Sequence, residues 1–135
     1  MITIDKDMII GVGEIDRQHI ELLNMINDFT SKDINIIPKE DVERTLKFLG
    51  AYVVKHFADE EKLQEECNYP DYEKHRQLHE KFVREFGELC EMFTADGPSP
   101  TFTRMLSNSV VRWVVKHIKG DDAEFGKYYN LQKSK

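Results

Sequence analysis

Seven positions between Val42 and Leu63 constrain this chain more than any other stretch. Val42, Leu46, Leu49, Val53, His56, Glu60 and Leu63 follow one another at steps of four and three. That period is one face of an amphipathic α-helix, the face that must be buried. Two of the seven are ionisable, and a histidine and a glutamate in a dry layer cost several kcal/mol each unless partners or a metal meet them. The helix therefore needs neighbours that bring matching polar groups to the level of His56.

The rest of the chain supplies them. Ile15, His19, Leu22, Ile26 and Phe29 form an earlier helical stripe, with Asp16 placed as its N-cap. SKDINIIP reads as a connection, and Pro38 suits the first turn of the following helix. After the turn signal NYP, a third stripe holds Tyr72, His75, His79, Phe82, Phe86, Leu89 and Phe93. ADGPSP is a loop by composition. A fourth helix from about Thr101 turns Phe102, Leu106, Val110, Trp113 and His117 inward, and Gly120 marks where it loosens. Residues 1–15 show no helical period and read as an extended arm. The expected fold is all-α, a single domain over residues 1–135, with the arm leading into an up-down-up-down four-helix bundle.

In that topology His19, His56, His75 and His117 reach the same end of the bundle. His56 with Glu60, and His75 with His79, are four apart, so each pair projects from one helix face. All five histidines of the chain fall in this set. Such a set is a metal site by composition. It is too large for one tetrahedral zinc and exceeds the one or two axial ligands of a haem. Nitrogen and carboxylate donors without thiolate suit iron, and two metals bridged by carboxylates absorb the whole set. Glu61 and Glu65 read as solvated helix acids. Ordinary helical spacing from His117 favours Asp121, four residues on, over Asp122.

The remaining composition excludes several classes. A net charge of −6 opposes binding to nucleic acid. VVRWVV is too short and too charged to span a bilayer, and no basic amphipathic segment holds a membrane surface. The N-terminus does not read as a signal peptide, so a cytoplasmic location is expected. Cys67 and Cys90 flank a helix of roughly 30 Å, against a disulfide reach of at most about 7 Å, so they are expected as free thiols.

Gly11 with Ile15-Asp-Arg-Gln-His19, then His56-Phe-Ala-Asp-Glu60, Tyr69-Pro, His75 with His79, and Trp113-Val-Val-Lys-His117 with Asp122 together resemble the hemerythrin family in its stand-alone bacterial form. The resemblance implies a four-helix bundle with a non-haem di-iron centre that binds O₂ reversibly and is not an enzyme. It implies one iron on His75, His79 and His117 and the other on His19 and His56. Glu60, Asp122 and an oxo or hydroxo group would bridge them. That set leaves one coordination position open, on the iron with two histidines, where O₂ would bind. Choosing Asp122 over Asp121 requires a π-like bulge or an unwound turn near Gly120. The chain departs from the family pattern at Ile4, where Trp is frequent, and at Val114, where Leu is common.

Leu23, Phe57 and Val114 are the expected apolar lining of the O₂ pocket. An electron donor that re-reduces the centre is an expected further partner. Two other functions stand beside O₂ storage, delivery or sensing: a di-iron oxidase or peroxidase, and a module that responds to O₂, nitric oxide or iron. The first is disfavoured because no histidine has the Glu-x-x-His spacing of ferritin-like oxidases. The second is disfavoured because 135 residues leave no room for an output domain.

Overall fold

The protein is described here by a computed structural model covering residues 2–134. Helix α1 spans Gly13–Thr30, α2 Lys39–Glu66 and α3 Tyr72–Asp96. The last helix, α4, starts at Pro100 and continues to Lys133. Its α-helical segments Pro100–Leu106, Arg112–His117 and Ala123–Lys133 are joined by π turns at Ser107–Val111 and Ile118–Asp122. No strand occurs among the described residues. α1 packs on α2, α2 on α3, and α3 on the first half of α4, which is the expected bundle.

The connections follow from local chemistry. α2 ends where Asn68 adopts a left-handed φ of 57° and the Tyr69 N–H returns to the Gln64 carbonyl at 2.9 Å. That tight reversal is the NYP turn, and it starts α3 antiparallel to α2. The Ser99 hydroxyl caps α4 by accepting from the Phe102 N–H at 3.0 Å, with Pro100 in the first turn.

Two local expectations change. α1 begins at Gly13, so Asp16 lies inside its first turn rather than capping it. The Asp16 carboxylate instead accepts from the Ile10 and Gly11 N–H groups at 2.7 and 3.0 Å, pinning the arm to α1. The arm contains one 3₁₀ turn at Lys6–Met8 and buries Met8, Ile10 and Val12. α4 loosens at Gly120 as expected, in the π turn at Ile118–Asp122, and then runs on for eleven residues.

The core is divided by a polar layer. The main apolar cluster includes Leu22, Leu23, Val53, Phe57, Phe82, Val114 and Ile118. A smaller one at the arm end joins Ile10, Val12, Ile15, Tyr69 and Phe125. On every helix the histidines fall between the two: His19 between Ile15 and Leu22, His75 and His79 between Tyr69 and Phe82. Apolar packing on both sides fixes the rotamers of the layer and keeps water from it.

Candidate metal centre

All five histidines, Glu60 and Asp122 meet in this layer, each no more than 4% exposed. The Nε2 atoms of His75, His79 and His117 converge, with His117 Nε2 at 3.0 Å from His75 and 3.1 Å from His79. The Nε2 atoms of His19 and His56 form a second pair 3.0 Å apart. The two carboxylates divide between the groups. Glu60 Oε1 lies 2.8 Å from His75 Nε2 and 3.3 Å from His79 Nε2, while Oε2 faces His19 and His56 at 3.9 and 3.8 Å. Asp122 Oδ1 lies 2.9 Å from His75 Nε2 and 3.2 Å from His117 Nε2, and its Oδ2 lies 3.1 Å from His19 Nε2. Two donor groups result, one of three histidines and one of two, sharing both carboxylates.

Asp122 reaches the layer because of the π turn at Ile118–Asp122, the distortion that the family resemblance requires. The extra residue in that turn rotates Asp122 onto the face of His117. Asp121, which regular spacing favoured, takes the other side of the same ring: its Oδ2 lies 3.0 Å from His117 Nδ1.

The outward ring nitrogens fix the orientation of the inward ones. His79 Nδ1 donates to Glu61 Oε2 at 2.8 Å, His117 Nδ1 to Asp121, and His56 Nδ1 to Gln18 Oε1 at 2.7 Å. Carboxylate and carbonyl oxygens only accept, so these Nδ1 atoms carry the proton and each Nε2 turns a lone pair inward. His75 Nδ1 meets the Gln64 amide at 2.8 Å. Turning that amide over presents Oε1, otherwise without a partner, to the Nδ1 proton. Glu61 is thus not the solvated acid expected from sequence, since its carboxylate is committed to His79. Gln18, Gln64 and Glu61 went unread as site residues. The available signals were the place of Gln64 four residues beyond Glu60, and of Gln18 and Glu61 directly beside His19 and Glu60.

A layer of inward lone pairs with no donor between them is a cation site by chemistry. Both Glu60 oxygens and Asp122 Oδ2 are buried without a hydrogen-bond partner despite their short distances to imidazole nitrogen. Such orphans are costly unless a positive charge lies among them. The two halves of the layer differ in their pull on a proton. Burial drives the His56 pKa down to about 4, against the pull of Glu60. Burial also opposes protonation of His117, but Asp122 and Asp121 outweigh it and raise the pKa to about 10. The residues fit a pair of cations.

Leu23, Phe57 and Val114 are all buried in the main cluster. Phe57 stands nearer the three-histidine group than its sequence position beside His56 suggests. Its ring stacks on His79 at 3.8 Å and 2°, against 5.7 Å for His56. Trp113 stacks likewise on His117, at 4.4 Å and 13°. Cys67 and Cys90 are free and half-buried, as expected.

A four-helix bundle whose histidine-rich core layer shares two carboxylates defines a class of helical metal-binding proteins. The sequence profile described as the hemerythrin HHE cation binding domain matches residues 10–129. A bacteriohemerythrin of Stenotrophomonas maltophilia is 32% identical over 120 residues, covering 88% of this chain and 75% of that protein. One from Pseudomonas paraeruginosa is 30% identical over 122 residues, with the same coverage. A hemerythrin-like protein of Naegleria gruberi is 30% identical over 121 residues, covering 90% and 87%. The chain belongs to the hemerythrin family, whose domain implies non-haem iron.

Proposed function

We propose that this protein binds O₂ reversibly at a di-iron centre held by His75, His79 and His117 on one side and His19 and His56 on the other, with Glu60 and Asp122 shared. The observation that carries this reading is the division of each carboxylate, one oxygen toward each histidine group. The iron pair, when bound, supplies the electrons and the open coordination position that O₂ binding needs. The chain's own residues hold and orient the centre: Glu61, Asp121 and Gln18 keep the imidazoles in the Nε2-inward tautomer. Leu23, Phe57 and Val114 form a dry apolar wall that excludes water and protons from the bound gas. The histidine-rich donor set, with no Glu-x-x-His spacing, favours binding over turnover.

The protein is read as a carrier or sensor and not as an enzyme, with residues 1–135 as one domain, a bridging oxo or hydroxo group between the irons, and an external electron donor for re-reduction. A cytoplasmic setting suits that role. Among the described residues, no helix is long and apolar enough to cross a membrane. Metal analysis tests the centre directly. About two irons per chain with little zinc are expected, and a single metal per chain, or zinc at full occupancy, contradicts the assignment.

A further inference from the structure

The five imidazoles face the centre alike, but the groups behind them differ in charge. In the three-histidine half, His79 is backed by the carboxylate of Glu61 and His117 by that of Asp121. In the two-histidine half, His56 is backed only by the neutral amide of Gln18, and the buried Nδ1 of His19 has no partner. On the outer side of His56, the Gln18 amide that orients the ring donates to Asp59 at 2.8 Å, and Asp59 is itself paired with Lys55 at 3.2 Å.

We propose that this uneven backing makes the halves unequal by design. Glu61, with a smaller part from Asp121, tightens the three-histidine position, and the neutral backing of His56 and His19 leaves the other position loose. The inference rests on the two-cation reading above but not on O₂ binding. A carboxylate accepting from Nδ1–H makes the imidazole a stronger donor than an amide carbonyl does, and it adds negative charge near the cation. Glu61 outranks Asp121 because its side chain is 21% exposed against 43%, so solvent screens it less. The consequence for function is a firmly held anchoring ion beside one with a softer coordination shell, on the side where a ligand position is open.

Ligand count alone already favours the three-histidine half, so the order of loss in the wild type does not isolate the charge. Charge-changing variants do. Glu61→Gln keeps an oxygen that accepts from His79 Nδ1 and removes only the charge. Gln18→Glu, made with Asp59→Asn so that the new carboxylate faces an amide, adds charge behind His56. The iron-loaded proteins are titrated anaerobically with a competing chelator, and iron remaining per chain is followed. Two steps of release are expected. Glu61→Gln should weaken the tighter step by about 10- to 100-fold and leave the looser one unchanged. The Gln18→Glu/Asp59→Asn protein should tighten the looser step by a comparable factor. Wild-type release from Glu61→Gln, with weakening only in Glu61→Ala, would show that Glu61 orients the ring and nothing more, and would overturn the proposal. Equal weakening of both steps would overturn it as well. A wild-type protein that never holds two ions removes the two-cation reading itself, a result distinct from either.

Discussion

Asp121 and Asp122, adjacent in the chain, address opposite nitrogens of one ring: Asp121 Oδ2 lies 3.0 Å from His117 Nδ1 and Asp122 Oδ1 lies 3.2 Å from Nε2. Regular helical geometry supplies the first contact and the π turn the second. Asp122→Ala should therefore lose paired-metal binding, leaving at most one ion per chain. Asp121→Asn should keep both ions at saturating metal and hold the three-histidine ion less tightly. Metal content of the two purified variants checks this, and a reversed pattern means that the π turn does not set the bridge.

Glu60 and Glu61 form a similar neighbouring pair on α2. Glu60 is fully buried with both oxygens toward histidines, whereas Glu61 contacts only the outer side of His79. Glu60→Gln should reduce iron to below one ion per chain, since an amide cannot bridge two cations with both atoms. Glu61→Gln should retain two ions when metal is in excess. Equal iron content in these variants would contradict the division of the carboxylate.

The arm is locked against the end of α4 at Gly126. A Cβ there would run into the Ile10 carbonyl oxygen, while one at Gly13 meets nothing within 4 Å. Gly126→Ala should destabilise the fold by about 1–3 kcal/mol through overpacking. It should also speed hydrogen exchange at the Ile10 and Gly11 amides, which Asp16 holds. Gly13→Ala should fall within about 0.5 kcal/mol of the wild type. Denaturant midpoints of both variants decide it, and a harmless Gly126→Ala would mean that the arm rides loosely on α4.

The helices and most of the centre were legible in the sequence because burial has a period. His56 and Glu60 interrupt an apolar stripe, and that interruption carries the whole inference to a polar core layer. The outer contacts were not legible. Glu61 sits off the buried stripe and has the composition of any solvated helix acid, and its role depends on where α3 places His79. Gln18 and Gln64 are neutral helix formers that leave no charge signal. The π turn at Ser107–Val111 and the helical run of α4 after Asp122 escaped for a related reason. A π turn uses the same residue types as an α turn, and a glycine inside a helix looks the same in sequence as one that ends it.

Val114 is buried at 4% exposure, one turn before Ile118, on the helix that also delivers His117. If it lines the O₂ pocket as proposed, Val114→Leu should slow autoxidation of the oxygenated protein and Val114→Ala should speed it. Both should keep their iron, because neither touches a metal-facing atom. Stopped-flow absorbance in iron-replete protein gives the rates. Any order other than Ala fastest, Val intermediate and Leu slowest leaves Val114 a packing residue.

Reversible O₂ binding is tested most directly by one visible spectrum. The anaerobically reduced, iron-loaded protein is recorded in the visible range, exposed to air, and then returned to anaerobic conditions by gas exchange without added reductant. A new visible band that forms in air and disappears on removing O₂, over repeated cycles, is the expected result. A band that forms once and persists without O₂, or release of peroxide in proportion to O₂ consumed, would contradict the account and make the protein an oxidase.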